Sequence, residues 1–418
     1  MIFLFKKKTE GKLIYFSLYF SLLFLLISNL IILYYSYRTI LHQFSYSQIF
    51  ISYINGFVKD GFLGEIVFLI QYLTNLDFKI IITIIFGLFH ILNSILFFLI
   101  TKKIARINFI LFILIFFNPA LIFFTINDIG AFLRKEIFII FGLMFHVYLS
   151  ILYREGSIDL IKYKKYLIFL ILPTLLICFV IYEMQLFLLP LHFLIIKKNL
   201  NFTYFDKKTL FYIFISSFFI LFFFHYSRYN IDVSFTQLLI DNTKIRIGNF
   251  LLNDFNFNTA PYVWLAKNPT DRFRDILYIF SNVNFLLKYL ISIILSLGPI
   301  FIIIYNFFKI TKIQKFEMLV FFSPLFLLFV LGEDWGRWIH IICMSFIMYS
   351  FIYELNYKKH FNFFIFWIFA LFTFIYVYFF NLSHCCVKNL FGYGLGQNLE
   401  LAYKIFFKNF NIIENIKY

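Results

Sequence analysis

The sequence predicts an all-α polytopic membrane protein, and three observations predict it. The 418 residues are 62% hydrophobic and only 14% charged, whereas a soluble globular chain carries about 25% charged residues. Apolar runs of bilayer-crossing length, roughly 17–25 residues, recur along almost the whole chain. Between them, short basic turns alternate with stretches that mix both signs of charge, as in a chain threaded repeatedly through a membrane.

Taken in order, Lys6, Lys7, Lys8 and Lys12 precede an apolar run at 13–34. No small-residue cleavage site follows it, so the run reads as an uncleaved first span. Residues 35–77 form a first outer loop, in which the apolar piece 66–73 is too short to cross and reads as re-entrant or interfacial. Spans fit 80–100, 107–125 and 137–153. The run 166–196 has room for two short helices, with Glu183, Met184 and Gln185 at the turn. A span at 210–225 leads into a large outer loop, 226–285. Spans at 286–308, 318–331, 339–353 and 361–380 bring the total to about eleven, and a tail, 381–418, follows. Pro119, Pro173, Pro190, Pro299 and Pro324 fall inside spans, where membrane helices accept them as kinks. No separate soluble domain and no internal repeat is visible.

The turns at 101–106, 154–165, 197–208 and 309–315 are short and basic. The positive-inside rule therefore places the N-terminus in the cytoplasm and the C-terminus outside. The net charge of +16 follows from that topology and points to the bilayer, with no nucleic-acid partner implied. Phe and Tyr are abundant, at 68 and 29 residues. They accompany a general lean toward Ile, Asn and Lys, so they carry little weight as a ligand surface. Cys178 and Cys343 sit in apolar runs, and Cys385 and Cys386 follow His384 past the last span. A metal site needs three or four suitably spaced ligands; no second cluster supplies them, so neither a metal nor another cofactor is expected.

This orientation gathers the unexplained charges on the outer face. The most pointed stretch is Gly332-Glu333-Asp334-Trp335-Gly336-Arg337-Trp338, wedged between two apolar runs. Charge at such a junction is costly unless paired, solvated or used. Arg134, Lys135 and Arg337 each precede a helix running inward, near a helix N-terminus that already favours anions. Cations placed there against the positive-inside tendency make a phosphate site. The competing reading is internal pairing, of Arg134 with Asp128 and of Arg337 with Asp334, with Asp334 as helix cap and Trp335 and Trp338 as interfacial belt residues.

Asp60 lies among Gly56, Gly61 and Gly64, which allow backbone to approach a ligand closely. A carboxylate there can serve as general base toward a sugar hydroxyl, or simply solvate a turn with Lys59. Asp128 and Asp334 are the alternative bases. Glu183 reads either as a substrate contact or as the residue that keeps a hairpin tip wet. The large outer loop contributes Arg228, Arg246, Arg272 and Arg274.

About eleven spans, a late large outer loop, and the outer charges Asp128, Arg134, Lys135, Glu136, Glu333, Asp334 and Arg337 resemble the Wzy-type polymerases of bacterial surface polysaccharides. Asp60 in the first outer loop is similar to the acid of the GT-C membrane glycosyltransferases, although its neighbours, Lys59 and Gly61, do not supply that class's second acid. Both resemblances imply a bacterial inner-membrane enzyme that acts at the outer face. It would use a polyprenyl-(pyro)phosphate-linked sugar donor and a glycan acceptor, alongside other envelope-glycan assembly proteins. On that reading Arg134, Lys135, Arg337 and Arg228 hold the phosphate, Asp60, Asp128 or Asp334 takes the acceptor proton, and Glu183, Glu333 and Trp335 contact substrate. The rival of another class is a lipid-linked sugar flippase or transporter, which should carry ionisable residues at mid-span.

Overall fold

The computed structural model describes residues 2–38, 43–56, 58, 60–107, 109–200, 233–248, 260–266, 269–300, 322–331 and 334–352, with isolated positions at 319, 371, 375–376, 379–380 and 382. Among these residues the protein is helical, with no strand. In chain order the helices are α1 (Ile2–Arg38), α2 (Gln43–Phe50), α3 (Gly61–Thr74), α4 (Phe78–Ile107), α5 (Phe109–Phe116), α6 (Phe124–Asn127), α7 (Ile129–Phe132) and α8 (Glu136–Arg154). They continue with α9 (Leu160–Tyr166), α10 (Leu172–Ile181), α11 (Leu189–Leu200), α12 (Val233–Ile247), α13 (Ala260–Ala266), α14 (Pro269–Ser281), α15 (Val283–Leu297), α16 (Leu328–Leu331) and α17 (Trp335–Ser350).

Among the described residues, five segments are long and apolar enough to cross a membrane: Ile14–Tyr37, Phe78–Ile104, Glu136–Arg154, Leu160–Ile181 and Val283–Ile300. The third is the most enclosed, with α4, α10, α11 and α17 packed around it. Its ends suit its dipole: Glu136 lies in the first turn and Arg154 in the last. Phe86 and Phe89 of α4 meet Phe138 edge-on, with ring centroids 5.4 and 4.6 Å apart. Polar side chains stitch the spans where hydrocarbon offers no partner. Asn29 bonds Ser94 at 2.8 Å, and Asn93 bonds the Ile137 carbonyl at 2.9 Å.

Several boundaries differ from the sequence expectation, each for a local reason. The span expected at 107–125 is broken: α5 ends at Phe116, because Pro119 has no N–H and Asn118 caps a turn. Asn118 Oδ1 accepts from Ala120 N at 2.8 Å while its Nδ2 donates to the Ser296 carbonyl at 2.9 Å. Eight residues of helix rise about 12 Å, so the chain continues as turns and the single-turn helices α6 and α7. Irregular backbone at membrane depth is tolerated when protein encloses it, and Asn118, Phe123, Asn127 and Phe132 are all buried. The basic turn expected at 101–106 is instead the last part of α4.

Pro173 produces a π turn over Leu167–Ile171 and not a sharp kink. Pro190 lies in the first turn of α11, where a missing N–H removes nothing. The piece expected at 66–73 is part of the fourteen-residue α3.

Candidate functional site

The candidate site is built around the start of α8, where three distant parts of the chain converge. Lys135 is the N-cap residue of that helix, and its side chain is 1% exposed. Its Nζ donates to the Asp60 carbonyl at 2.9 Å and to Asp60 Oδ1 at 3.1 Å. Asp60 holds the left-handed conformation, φ 66° and ψ −1°, which short polar residues tolerate best. It stands at the N-cap of α3 but makes no side-chain cap bond, because its carboxylate turns to Lys135.

The next residue reaches the other way. Glu136 Oε1 accepts from the Tyr182 hydroxyl at 3.0 Å and is ion-paired with Arg337. Arg337 is also ion-paired with Asp334, just before α17. Burial, and after it the Glu136 charge, push the Tyr182 phenol up, so it stays a neutral donor. Consecutive residues of one helix start thus join Asp60 to Arg337. The sequence expectation assigns Asp60, Arg134 and Arg337 to one site; here Asp60 pairs with Lys135, and Arg337 with the neighbouring Glu136. Arg134 is buried beside them, and its charge acts on Glu136.

Other expected roles change. Lys135 and Arg337 do not form a ready-made phosphate pocket, because Asp60, Glu136 and Asp334 engage them; a buried charge requires a partner. The pairing of Arg337 with Asp334 is the internal reading foreseen for that loop. Asp334 has the expected N-cap position yet makes no cap bond. Asp128 caps α7, accepting from Gly130 N at 3.0 Å, so its carboxylate has a local structural task. Glu183 opens a 3-10 turn, Glu183–Leu188, and is 6% exposed, which removes the wet-tip reading. Gly64 approaches backbone and no ligand: a Cβ there would lie 2.0 Å from the Ile51 carbonyl oxygen. Arg228 and Glu333 lie outside the described residues.

Two contributors were not anticipated as site residues. Tyr182 is one of 29 tyrosines and carries no distinguishing spacing. Glu136 stood in a named charge group, but which acid Arg337 selects is decided across 201 residues of sequence. A further ion pair joins α12 to α3, five residues beyond Asp60. Arg246 of α12 forks onto Glu65 of α3, at 3.0 and 2.7 Å, and stacks 4.2 Å from the Phe68 ring centre. Glu65 also accepts from Tyr53 N at 3.2 Å, and Asn242 bonds Asn55 at 2.6 Å. The bond from Arg246 holds the Glu65 carboxyl below its usual range. Burial, with Asp60 and Glu65 nearby, pushes the Tyr53 phenol up to about 12.

An apolar groove lies against α17, the helix that carries Arg337. It runs between α15 and α17, encloses about 610 Å³, and is lined by Leu290, Ile293, Phe329, Trp335, Ile339 and Cys343 among others. Val283, Leu287 and Leu290, which line it on α15, are half exposed or more, so the groove is open along that helix. Trp335 both lines it and lies two residues from Arg337, with its indole N–H fixed on the Phe329 carbonyl at 3.1 Å. Among the described residues no three His, Cys, Asp or Glu side chains group to hold a metal ion. No protein-family model, curated protein or solved structure matches the chain.

Proposed function

We propose that this chain is a membrane-embedded glycosyltransferase of bacterial surface-polysaccharide assembly, in its simplest form the polymerase that joins polyprenyl-linked repeat units. In this reading the chain crosses the inner membrane about eleven times, with its N-terminus in the cytoplasm and its C-terminus outside. The observation that carries the proposal is the junction at Trp335. Trp335 lines an apolar groove of about 610 Å³ at the start of the helix that also carries Arg337, a member of the buried cluster of carboxylates and cations. A lipid-linked sugar phosphate has that division: a long apolar tail, a charged link and a polar sugar.

The groove takes the tail, and the phosphate replaces Asp334 or Glu136 on Arg337, whose planar fork suits both. The acceptor hydroxyl oxygen attacks the anomeric carbon, the bond from that carbon to the lipid phosphate oxygen breaks, and the phosphate leaves with the electron pair. Asp60, oriented by Lys135, accepts the hydroxyl proton, while Arg337 and Arg134 stabilise the departing charge. The Glu65–Arg246 pair keeps the large outer loop over the acceptor. A single-sugar transferase of the GT-C kind would use the same chemistry.

The second reading, a flippase or transporter of the same lipid-linked sugar, is favoured by one observation: the buried histidines His146 and His192, which face each other between α8 and α11. The test is the surface-glycan ladder of a deletion strain complemented with wild type, Arg337→Ala or Asp60→Asn at matched membrane levels. The proposal expects collapse to a single repeat unit, rescued by wild type alone. A full-length ladder lacking one sugar means a single-sugar transferase, loss of even the single exported unit means a transporter, and full rescue by both variants overturns the site.

A further inference from the structure

Ten residues past Glu136 on α8, about 15 Å along the helix, a second polar assembly is enclosed by the bundle. His146 and His192 are 0% and 2% exposed. Their rings are parallel within 7°, and their Nδ1 atoms lie 2.9 Å apart. His192 Nε2 faces the Gln185 amide at 3.0 Å, and His146 Nε2 faces the Tyr163 hydroxyl at 3.5 Å. Asn199 Nδ2 donates to that hydroxyl at 2.7 Å and to Ser150 Oγ at 2.6 Å. The chain of contacts therefore runs from the turn beside Tyr182 to the last turns of α8 and α11.

Two ring nitrogens at this separation cannot both be bare or both protonated; one donates and the other accepts. Both ends of the pair meet groups that can do either, a phenol and a carboxamide. In one neutral arrangement Gln185 donates to His192 Nε2, His192 Nδ1–H donates to His146 Nδ1, and His146 Nε2–H faces the Tyr163 oxygen. The opposite tautomers reverse every bond, with Tyr163 donating and Gln185 Oε1 accepting. A third arrangement carries one more proton: both Nε2 atoms donate outward, and the central N–H···N bond is unchanged. It requires an acceptor at Gln185, whose Oε1 is buried with no hydrogen-bond partner. Half a turn of the amide brings that oxygen to His192.

We propose that His146 and His192 form a buried site that binds one proton between the spans. Uptake adds H⁺ to the bare Nε2 and breaks no covalent bond, and the Gln185 side-chain amide turns to present its Oε1 as acceptor.

The surrounding elements do not neutralise the added charge. Among the described residues Tyr163 is the one titratable group from outside the pair that is bonded to either ring. Cys178 of α10 is bonded to the Phe138 carbonyl, His90 of α4 to the Phe132 carbonyl, and His340 of α17 to the Ala120 carbonyl. Glu136 and Arg337 belong to the outer end, with Glu183 at the start of the turn; Arg154, Lys197 and Lys198 lie at the other helix ends. The proton is thus held by sharing between two imidazoles and two neutral acceptors.

The test uses full-length protein labelled with ¹⁵N-histidine in lipid bilayers, followed by solid-state NMR between about pH 4 and pH 9, a window around the ordinary histidine value. The expected result is one pair of Nδ1 signals coupled across an N–H···N bond, with the two rings taking up a single proton together. His192→Gln removes the coupling and moves the His146 midpoint by about one unit or more. Tyr163→Phe leaves both rings in place but removes an acceptor of the charged form, so it lowers the shared midpoint and keeps the coupling. Absence of coupling, two independent titrations, or a midpoint unmoved in Tyr163→Phe would each overturn the proposal.

Discussion

Lys135 Nζ binds the backbone carbonyl and the carboxylate of Asp60 together, across 75 residues of sequence and almost out of reach of solvent. One lysine therefore fixes both the left-handed turn and the direction of the acid. Replacing it by Met strands a buried carboxylate and is expected to lower stability by about 3–5 kcal/mol. Asp60→Asn keeps an acceptor and a side chain that tolerates the left-handed turn. It should fold normally and lose roughly 10²–10⁴-fold in transfer. Thermal unfolding in detergent and the glycan ladder read the two effects separately; a fully active Asp60→Asn ends the base assignment.

Arg337 and Glu136 should behave as one energetic unit. Each single change, Arg337→Met or Glu136→Gln, removes one side of a buried pair, and should cost less than the roughly 3–5 kcal/mol of a fully stranded charge because Asp334 remains on Arg337 and Arg134 and Tyr182 remain beside Glu136. The double variant should be less destabilised than the sum, with a coupling of about 1–3 kcal/mol in a double-mutant cycle. Additive losses would show that the ion pair does not bind the two helices together.

The Arg246–Glu65 pair gives a pH dependence of defined sign. Arg246 lowers the Glu65 carboxyl below its ordinary 4.5. The pair therefore contributes fully above that value and is lost as pH falls through the lowered one. Protease cleavage within α12 should rise in that acid range, and Arg246→Ala should show the same cleavage at neutral pH. Equal protection in wild type and variant at neutral pH would mean that other contacts hold the loop.

Gly64 is a packing requirement of α3 against residues 49–51. A methyl group there would meet the Ile51 carbonyl at 2.0 Å and the Ile49 carbonyl at 2.6 Å, both rigid backbone. Gly64→Ala should therefore push α3 away from 49–51 and destabilise the protein by more than 1 kcal/mol, as overpacking does. Gly156→Ala provides a contrast, because no atom lies within 4 Å there and only the positive φ resists substitution. Comparing unfolding midpoints checks the order; equal midpoints contradict it.

How much of this was legible in the sequence depended on scale. Charge at apolar junctions singled out 128–136, 332–338 and the Asp60 turn, and the structure links them through Lys135–Asp60 and Glu136–Arg337. Partner choice was hidden, because Arg337 has an acid three residues away and another 201 residues away, and only packing brings the second. The broken helix after Phe116 was hidden because hydropathy averages smoothly over Asn118 and Pro119. The histidine pair escaped notice for the same reason: one polar residue in an apolar run barely alters a window average. Its significance appears only when His146 and His192 face each other.

The Glu136–Arg337 pair also bears on how the protein is made. The acid leaves the ribosome 201 residues before its arginine. At about 5–20 residues per second, that interval lasts roughly 10–40 s. During it α8 waits with its Glu136 carboxylate lacking that partner and balanced only by Arg134 and the Tyr182 hydroxyl. The last described helix is thus the one that lets the central helix settle, and a nascent chain stopped before residue 337 should leave α8 accessible to water-borne reagents.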